Sequence, residues 1–442
     1  MKKIKPLLLT LGLITPCAQA QDLLTIYDLA LQQDPKIREA LATRDAALEN
    51  KPQAIARLLP TLSIRGNLTR NWVLSKLDDP QLALLAGGQN LEFWNSGASV
   101  NLNQPVYRHE LWVQLGQADH RVAQAEAQYA DELQNLIVRL AQAYFGVLLA
   151  EDNLEFAHAE RQAIERQLEQ AKARFEVGLI AITDVNEAQA GFDLAQANEI
   201  KAENDLDNAR ETLREIIGPF EGHLAKVAPE FPLEPPQPTR IDEWDASAQR
   251  NNLSLIAAQN GVEVAKKGID LQFAGHLPSL DMVASAGFTD TNRPRGIPTE
   301  SQAIGMQLNI PLFEGGGVNS RVRQARHEYE AALQTLDRQR RAVGRQVKNA
   351  YRGILSAIGQ VKALKAAVVS ATSAKEASEA GFEVGTRTMI DVLAEQRNLF
   401  RTQRDYAKTR YDYILASLTL KQAASLLQRE DVERINRWLK QD

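Results

Sequence analysis

The chain has 442 residues, 51 Lys and Arg against 56 Asp and Glu, a net charge of −5 and one cysteine. A mildly acidic chain without a general basic field excludes nucleic acid as its partner, and one cysteine excludes a disulfide framework.

At the N-terminus, Lys2, Lys3 and Lys5 precede an apolar stretch from Leu7 to Ile14 and a small-x-small end at Ala18-Gln19-Ala20. That pattern predicts a secretory signal peptide over 1–20, cleaved after Ala20. The apolar run is about ten residues, too short to cross a bilayer, which needs roughly twenty. Cys17 lies inside this segment, and Ile14-Thr15-Pro16 before it argue against lipoprotein acylation. The mature chain is then cysteine-free, with a charge of −8 after loss of the three lysines. It holds no thiol nucleophile and no zinc-thiolate site. No uninterrupted apolar stretch of transmembrane-helix length follows residue 20, so membrane entry requires a β-barrel.

The chain is written twice. Ala173, Phe175-Glu176-Val177-Gly178 and Asp184-Val185 recur 207 residues later as Ala380, Phe382-Glu383-Val384-Gly385 and Asp391-Val392. Ala143-Tyr144 recurs as Ala350-Tyr351 at the same offset, and Leu59-Pro60 as Leu277-Pro278. The first repeat covers 21–218 and the second 241–426. A proline-rich connector at 219–240 separates them, and a C-terminal segment follows at 427–442.

In chain order, the first repeat opens with a helix over 25–56. A hairpin over about 60–107 follows. Leu62, Ile64, Gly66 and Leu68 share one face, as do Ala98, Val100 and Leu102 on the return. The second hairpin, about 278–313, repeats this with Leu280, Met282, Ala284 and Phe288, then Ile304, Met306, Leu308 and Ile310. Period-two alternation marks half-buried strands. Alternation alone fits a soluble sheet packed on helices equally well. Runs of about nine to eleven residues match a tilted membrane strand. Trp72, Trp94, Tyr107 and Phe313 near the strand ends suit interface girdles, and the polar connections 71–93 and 290–302 suit outward loops. Four strands cannot close a barrel, and an open edge in lipid is costly. Two chains make eight strands, whose interior fills with side chains; three make twelve, the smallest multiple that leaves a pore.

Long helices follow each hairpin, over about 110–176 and 318–383, without proline and with little glycine. At 1.5 Å per residue each is on the order of 100 Å long, which implies coiled-coil packing. Threes-and-fours spacing at Val185, Ala188, Phe192 and Ala195, and at Val322, Ala325, Tyr329 and Ala332, agrees. Shorter helices at 184–217, 241–274 and 391–426 pack beside them. Gly178 and Gly385 suit the left-handed residue that ends a helix, so the Phe-Glu-Val-Gly elements form turns at the tip, far from the hairpins. Thr388 with Asp391 has capping-box form, and Asp184 with Glu187 suits a helix start; from these residues alone, capping is the favoured reading.

Nothing groups into a catalytic site. Glu314-Gly315-Gly316-Gly317 lacks the Lys-Ser/Thr of a nucleotide-binding loop and reads as a strand-to-helix turn. His109, His120 and His158 are spaced unlike metal ligands. The residues predict no enzyme activity and no cofactor. A periplasmic adaptor also carries long helical hairpins, but four membrane-length strands speak against that reading.

Gly178–Asp184, Gly385–Leu393, Gly275–Leu280 and Asn251–Leu255 together resemble the outer-membrane efflux proteins, in order along nearly the whole mature chain. The resemblance implies an α+β membrane protein: a homotrimer whose twelve-stranded outer-membrane β-barrel continues as a periplasmic α-helical barrel with a gated entrance. It implies passage from periplasm to exterior in multidrug efflux and type I secretion. The implied partners are outer-membrane lipid, a periplasmic adaptor (membrane fusion) protein and an inner-membrane pump or ABC transporter. Arg387 matches the arginine that tethers the inner helix pair, with Thr183 and Asp184 as its partners, and Asp391 matches an aspartate of the lumen constriction that favours cations. The tip turns, Val177-Gly178 and Val384-Gly385, are where an adaptor would make contact. Two positions depart from the pattern: Phe382 replaces a hydrogen-bonding tyrosine, and Ala394 replaces a second constriction aspartate. Capping and gating roles for Asp391 can coexist.

Overall fold

A computed structural model describes residues 21–74, 81, 90–220, 222–293 and 296–440. The expected signal peptide and most of the first hairpin connection lie outside them.

The four strands are β1 (Thr61–Leu74), β2 (Asn90–Tyr107), β3 (Ser279–Thr291) and β4 (Thr299–Asn309). They form one antiparallel sheet in that order. Directly opposed residues of an antiparallel pair share a face. Leu62 opposes Leu102 and Ile64 opposes Val100; Val100 and Leu102 oppose Ala286 and Ala284; Ala284 opposes Ile304 and Met282 opposes Met306. The alternating apolar positions of both hairpins therefore merge into one surface. It is open: Leu62 is 70 % exposed, and Ile64 and Ile304 are each 78 % exposed.

β1, β2 and β3 are longer than the apolar alternation predicts, at 14, 18 and 13 residues, while β4, at 11, lies within the expected length. The first ladder continues on other chemistry. Arg70 pairs with Glu92, Trp72 donates its indole N–H to Glu92 at 2.9 Å, and the Arg70 guanidinium lies 5.2 Å and 5.6 Å from the Trp72 and Trp94 rings. Residues predicted as loop at 71–74 and 90–93 are consequently strand. A register shift between Pro105 and Tyr107 falls where proline has no N–H to donate.

The helices are α1 (Leu23–Gln33), α2 (Pro35–Leu48), α3 (Asn50–Ala56), α4 (His109–Glu176), α5 (Ile182–Ile217), α6 (Ile241–Asn251), α7 (Leu253–Phe273), α8 (Gly317–Glu383), α9 (Met389–Ala423) and α10 (Arg429–Asn436). The single helix predicted over 25–56 is thus three. Pro35 cannot donate into a continuing helix but suits a first helical position, and the buried Asp34 before it accepts from the Lys36 N–H at 3.1 Å. The helix predicted over 241–274 breaks at Asn252, whose buried amide donates to the Ala423 carbonyl at 2.9 Å. Gly315 and Gly316 take positive φ of 60° and 80° in the turn between β4 and α8.

Among the described residues two compact units cut across the sequence repeats, each drawing on both halves: one holds those of 21–41, 129–253 and 340–440, the other those of 42–128 and 254–339. In the sheet-bearing unit, Arg108 grips the buried Asp281 with two bonds of 2.9 Å and 2.6 Å, fixing the start of α4 to β3. In the helical unit, the connector between the repeats is pinned by phenols. Tyr144 donates to the Ala225 carbonyl at 2.8 Å, its repeat counterpart Tyr351 donates to the Thr239 carbonyl, and Tyr413 donates to the Glu234 carbonyl at 3.0 Å. Tyr411 donates to Asp152 at 2.7 Å. Burial pushes the Tyr144 and Tyr411 hydroxyls far above the usual phenol range, so both stay protonated donors.

By length and composition alone, α4 and α8 each contain a stretch apolar enough to cross a membrane. In α4 that stretch is 61 % buried as protein core, whereas in α8 it is only 22 % buried.

Candidate gate at the two helical turns

The turn from α4 to α5 and the turn from α8 to α9 are built alike. After α4, Gly178 has φ 73°, and the N–H groups of Gly178 and Leu179 donate to the Phe175 and Arg174 carbonyls at 2.9 Å each. After α8, Gly385 has φ 78°, and Gly385 and Thr386 donate to Phe382 and Gly381 at 3.2 Å and 2.8 Å. These are Schellman-type endings, in which a left-handed residue lets the chain satisfy the last helical carbonyls. Val177 and Val384 are left 69 % and 75 % exposed. Inside the turns, Ile164, Leu168 and Ala171 of α4, Ala188 and Ala195 of α5, and Met389 and Leu393 of α9 form one buried cluster, with Ile180, Val185, Phe192 and Phe382 packed against it. Both turns therefore sit at one level.

The copies diverge in the polar positions. Thr388 and Asp391 form the capping box: the Asp391 carboxylate accepts from the Thr388 N–H at 2.9 Å and its hydroxyl at 2.8 Å, and the Thr388 hydroxyl accepts from the Asp391 N–H at 3.3 Å. The Thr388 N–H, then its hydroxyl, and less strongly the Arg387 charge hold the Asp391 carboxyl below the usual carboxylate range. It is an anion at neutral pH. In the first copy Ala181 occupies the position of Thr388 and makes no side-chain cap. Asp184, the counterpart of Asp391, therefore follows a helix start without a capping hydroxyl. Among the described residues, the Asp184 carboxylate, the Thr183 hydroxyl and the Arg387 guanidinium make no hydrogen bond or ion pair within the chain. Arg387 is exposed, with its N–H donated to the Gly381 carbonyl at 3.2 Å.

Phe382 has no hydroxyl to bond, and its ring instead lies 5.0 Å from the Arg174 guanidinium, a cation–π contact between α8 and α4. Sequence reasoning missed Arg174. Its counterpart 207 residues on is Gly381 and that of Arg387 is Ile180, so the repeat carries the signal as a crossed exchange of an arginine for a small or apolar residue. Among the described residues no cluster of His, Cys, Asp or Glu is arranged to hold a metal ion.

An antiparallel sheet with one continuous exposed apolar face, carried on helices of 68 and 67 residues that end in paired turns, defines an outer-membrane channel chain. The outer membrane efflux protein family matches it over residues 26–219 and 245–425, once in each repeat. The chain belongs to that family, a family of channels and not of enzymes. It is 39 % identical to the outer membrane protein TolC of Vibrio cholerae, over 100 % of this chain and 99 % of that protein. It is 29 % identical to the alkaline protease secretion protein AprF of Pseudomonas aeruginosa, over 95 % of this chain and 87 % of that one. Among solved structures, the CmeC outer membrane channel of Campylobacter jejuni superimposes with a TM-score of 0.79 at 14 % identity, over 95 % and 90 % of the two chains. The protein is an outer-membrane exit duct: its fold is a β-barrel portion joined to a long α-helical portion, and its place is the outer membrane.

Proposed function

We propose that three copies close a twelve-stranded barrel and that the paired turns form the gate of its periplasmic entrance. The observation that carries this reading is the sheet. Its apolar face is open to the surroundings, and β1 and β4 each have an unpaired edge, which lipid does not tolerate and further copies satisfy. The duct does no chemistry of its own. It takes its cargo from a periplasmic adaptor docked at Val177-Gly178 and Val384-Gly385 and from an inner-membrane pump or ABC transporter. Likeness to a protease secretion protein supports export of proteins as well as small molecules.

At the gate, Arg387 of one copy bonds Asp184 and Thr183 of the next. All three side chains are uncommitted within the chain. Charge-assisted bonds are worth about 1.5–3 kcal/mol each, repeated three times around the ring. Asp391, ionised and capping α9, adds a ring of negative charge that favours cations. Reconstitution in planar bilayers tests the reading: the wild-type chain should show a small, cation-selective conductance, and Arg387→Ala should raise it. Unchanged conductance in the variant would remove Arg387 from the gate.

A further inference from the structure

A polar cavity of about 290 Å³ lies within the helical unit, beside the paired turns, where faces of three helices meet. α4 brings Arg166, Gln170 and Arg174, spaced by fours and so on one face. α8 brings Lys375, Glu379, Phe382 and Glu383, and α9 brings Gln396. The apolar cluster at Ile164, Leu168 and Leu393 packs the neighbouring positions of α4 and α9. The polar positions are left to line a space.

The lining is short of partners for both signs of charge. Lys375 and Glu379 satisfy one another at 2.7 Å. Among the described residues Arg166, Arg174 and Glu383 make no ion pair within the chain. The contact of Arg174 with the Phe382 ring, at 5.0 Å, engages no acceptor and leaves the guanidinium N–H donors for an oxyanion. Gln396 is 2 % exposed, and its side-chain oxygen has no donor among the described residues. A buried acceptor without a donor is costly, and a ligand bearing an N–H would supply one. Three cations against two anions leave the lining with one net positive charge.

We propose that this cavity binds a free acidic amino acid, glutamate or aspartate. One carboxylate sits on Arg166 and the other on Arg174, with the ammonium between the Gln396 oxygen and the Glu383 carboxylate. The two arginines are eight residues apart, about 12 Å along α4, and long side chains lining one cavity converge on a ligand with an acid at each end. Its single negative charge offsets that of the lining. A plain dicarboxylate answers the arginines but not Gln396, and an amino acid without a second acid leaves one arginine unmatched. Bound there, the ligand ties α4 to α9 and braces the paired turns; that consequence, unlike the site itself, rests on the gate reading above.

Calorimetric titration of the full-length protein, purified in detergent and held at low salt, reads the site. L-Glutamate should bind once per chain and about tenfold more tightly than glutarate, which lacks the amino group. Arg166→Gln, at an exposed position outside the packed cluster, should weaken both ligands by about tenfold, the loss of a charge-assisted bond. Gln396→Leu should bring glutamate down to the affinity of glutarate and leave glutarate unchanged. Equal affinity of the wild-type chain for the two ligands, or no saturable heat with glutamate up to about 10 mM, would overturn the proposal. In planar bilayers, glutamate on the periplasmic side should lower the conductance of the wild-type chain and leave that of Arg166→Gln unaltered. Binding without that loss would overturn the bracing of the turns and leave the site standing.

Discussion

The stem of Arg387 lies across Gly381, so closely that a Cβ on the glycine would stand 2.7 Å from Arg387 Cγ. The missing side chain is what gives this arginine its place. Gly381→Ala should therefore push Arg387 aside and raise single-channel conductance in planar bilayers toward that of Arg387→Ala. The double variant should add nothing further, because both changes act on one contact.

The cap at the start of α9 should respond to acid. The Asp391 carboxyl is held below its ordinary value in the folded chain, so its contribution is present above the unfolded value and is lost as pH falls through the folded one. Exchange protection of the Met389–Val392 amides, corrected for intrinsic rate, should be flat from neutral to mildly acidic pH and fall below the ordinary carboxylate range. Asp391→Ala should show the low protection at every pH.

The turn glycines should be costly to replace for a backbone reason alone. Nothing lies within 4 Å of a Cβ built on Gly178 or Gly385, so alanine meets strain and no clash, about 1 kcal/mol at each site. Asparagine, which tolerates the left-handed region, should cost less. Thermal unfolding of the solubilised protein measures the order.

Tyr144→Phe deletes a hydroxyl that is buried against the Ala225 carbonyl. It should cost about 1–3 kcal/mol, since the carbonyl is left without its donor. Tyr351→Phe should act on the Thr239 carbonyl in the same sense. Denaturant titration of both variants checks the parallel between the repeats.

In the proposed ring of three copies Asp391 supplies one acidic layer, and Ala394, exposed one turn beyond it, supplies none. Ala394→Asp should supply a second and lower the concentration of multivalent cation that half-blocks the channel, by about tenfold for each 1.4 kcal/mol gained. A side-by-side titration in bilayers reads the shift.

The sheet was legible because period two survives on all four strands, and the register places Ile64, Val100, Ala286 and Ile304 side by side or one step apart. Strand length was not, because beyond the apolar band the ladder is held by Arg70, Glu92 and Trp72, whose pattern carries no alternation. The helix breaks at Pro35 and Asn252 were written in the chain but masked by good helix formers on both sides. At the gate, the glycines and the Thr388–Asp391 box follow from local rules. The contact of Arg174 with Phe382 joins residues far apart in the chain, and only the comparison of the two repeats points to it.

The two bare edges of the sheet have a genetic consequence. A chain that still pairs along one edge but is damaged along the other would be drawn into mixed rings with intact chains and leave each ring unsealed. Co-expressed with the normal gene, such an allele should behave as a dominant poison, whereas one that fails to fold at all should be recessive.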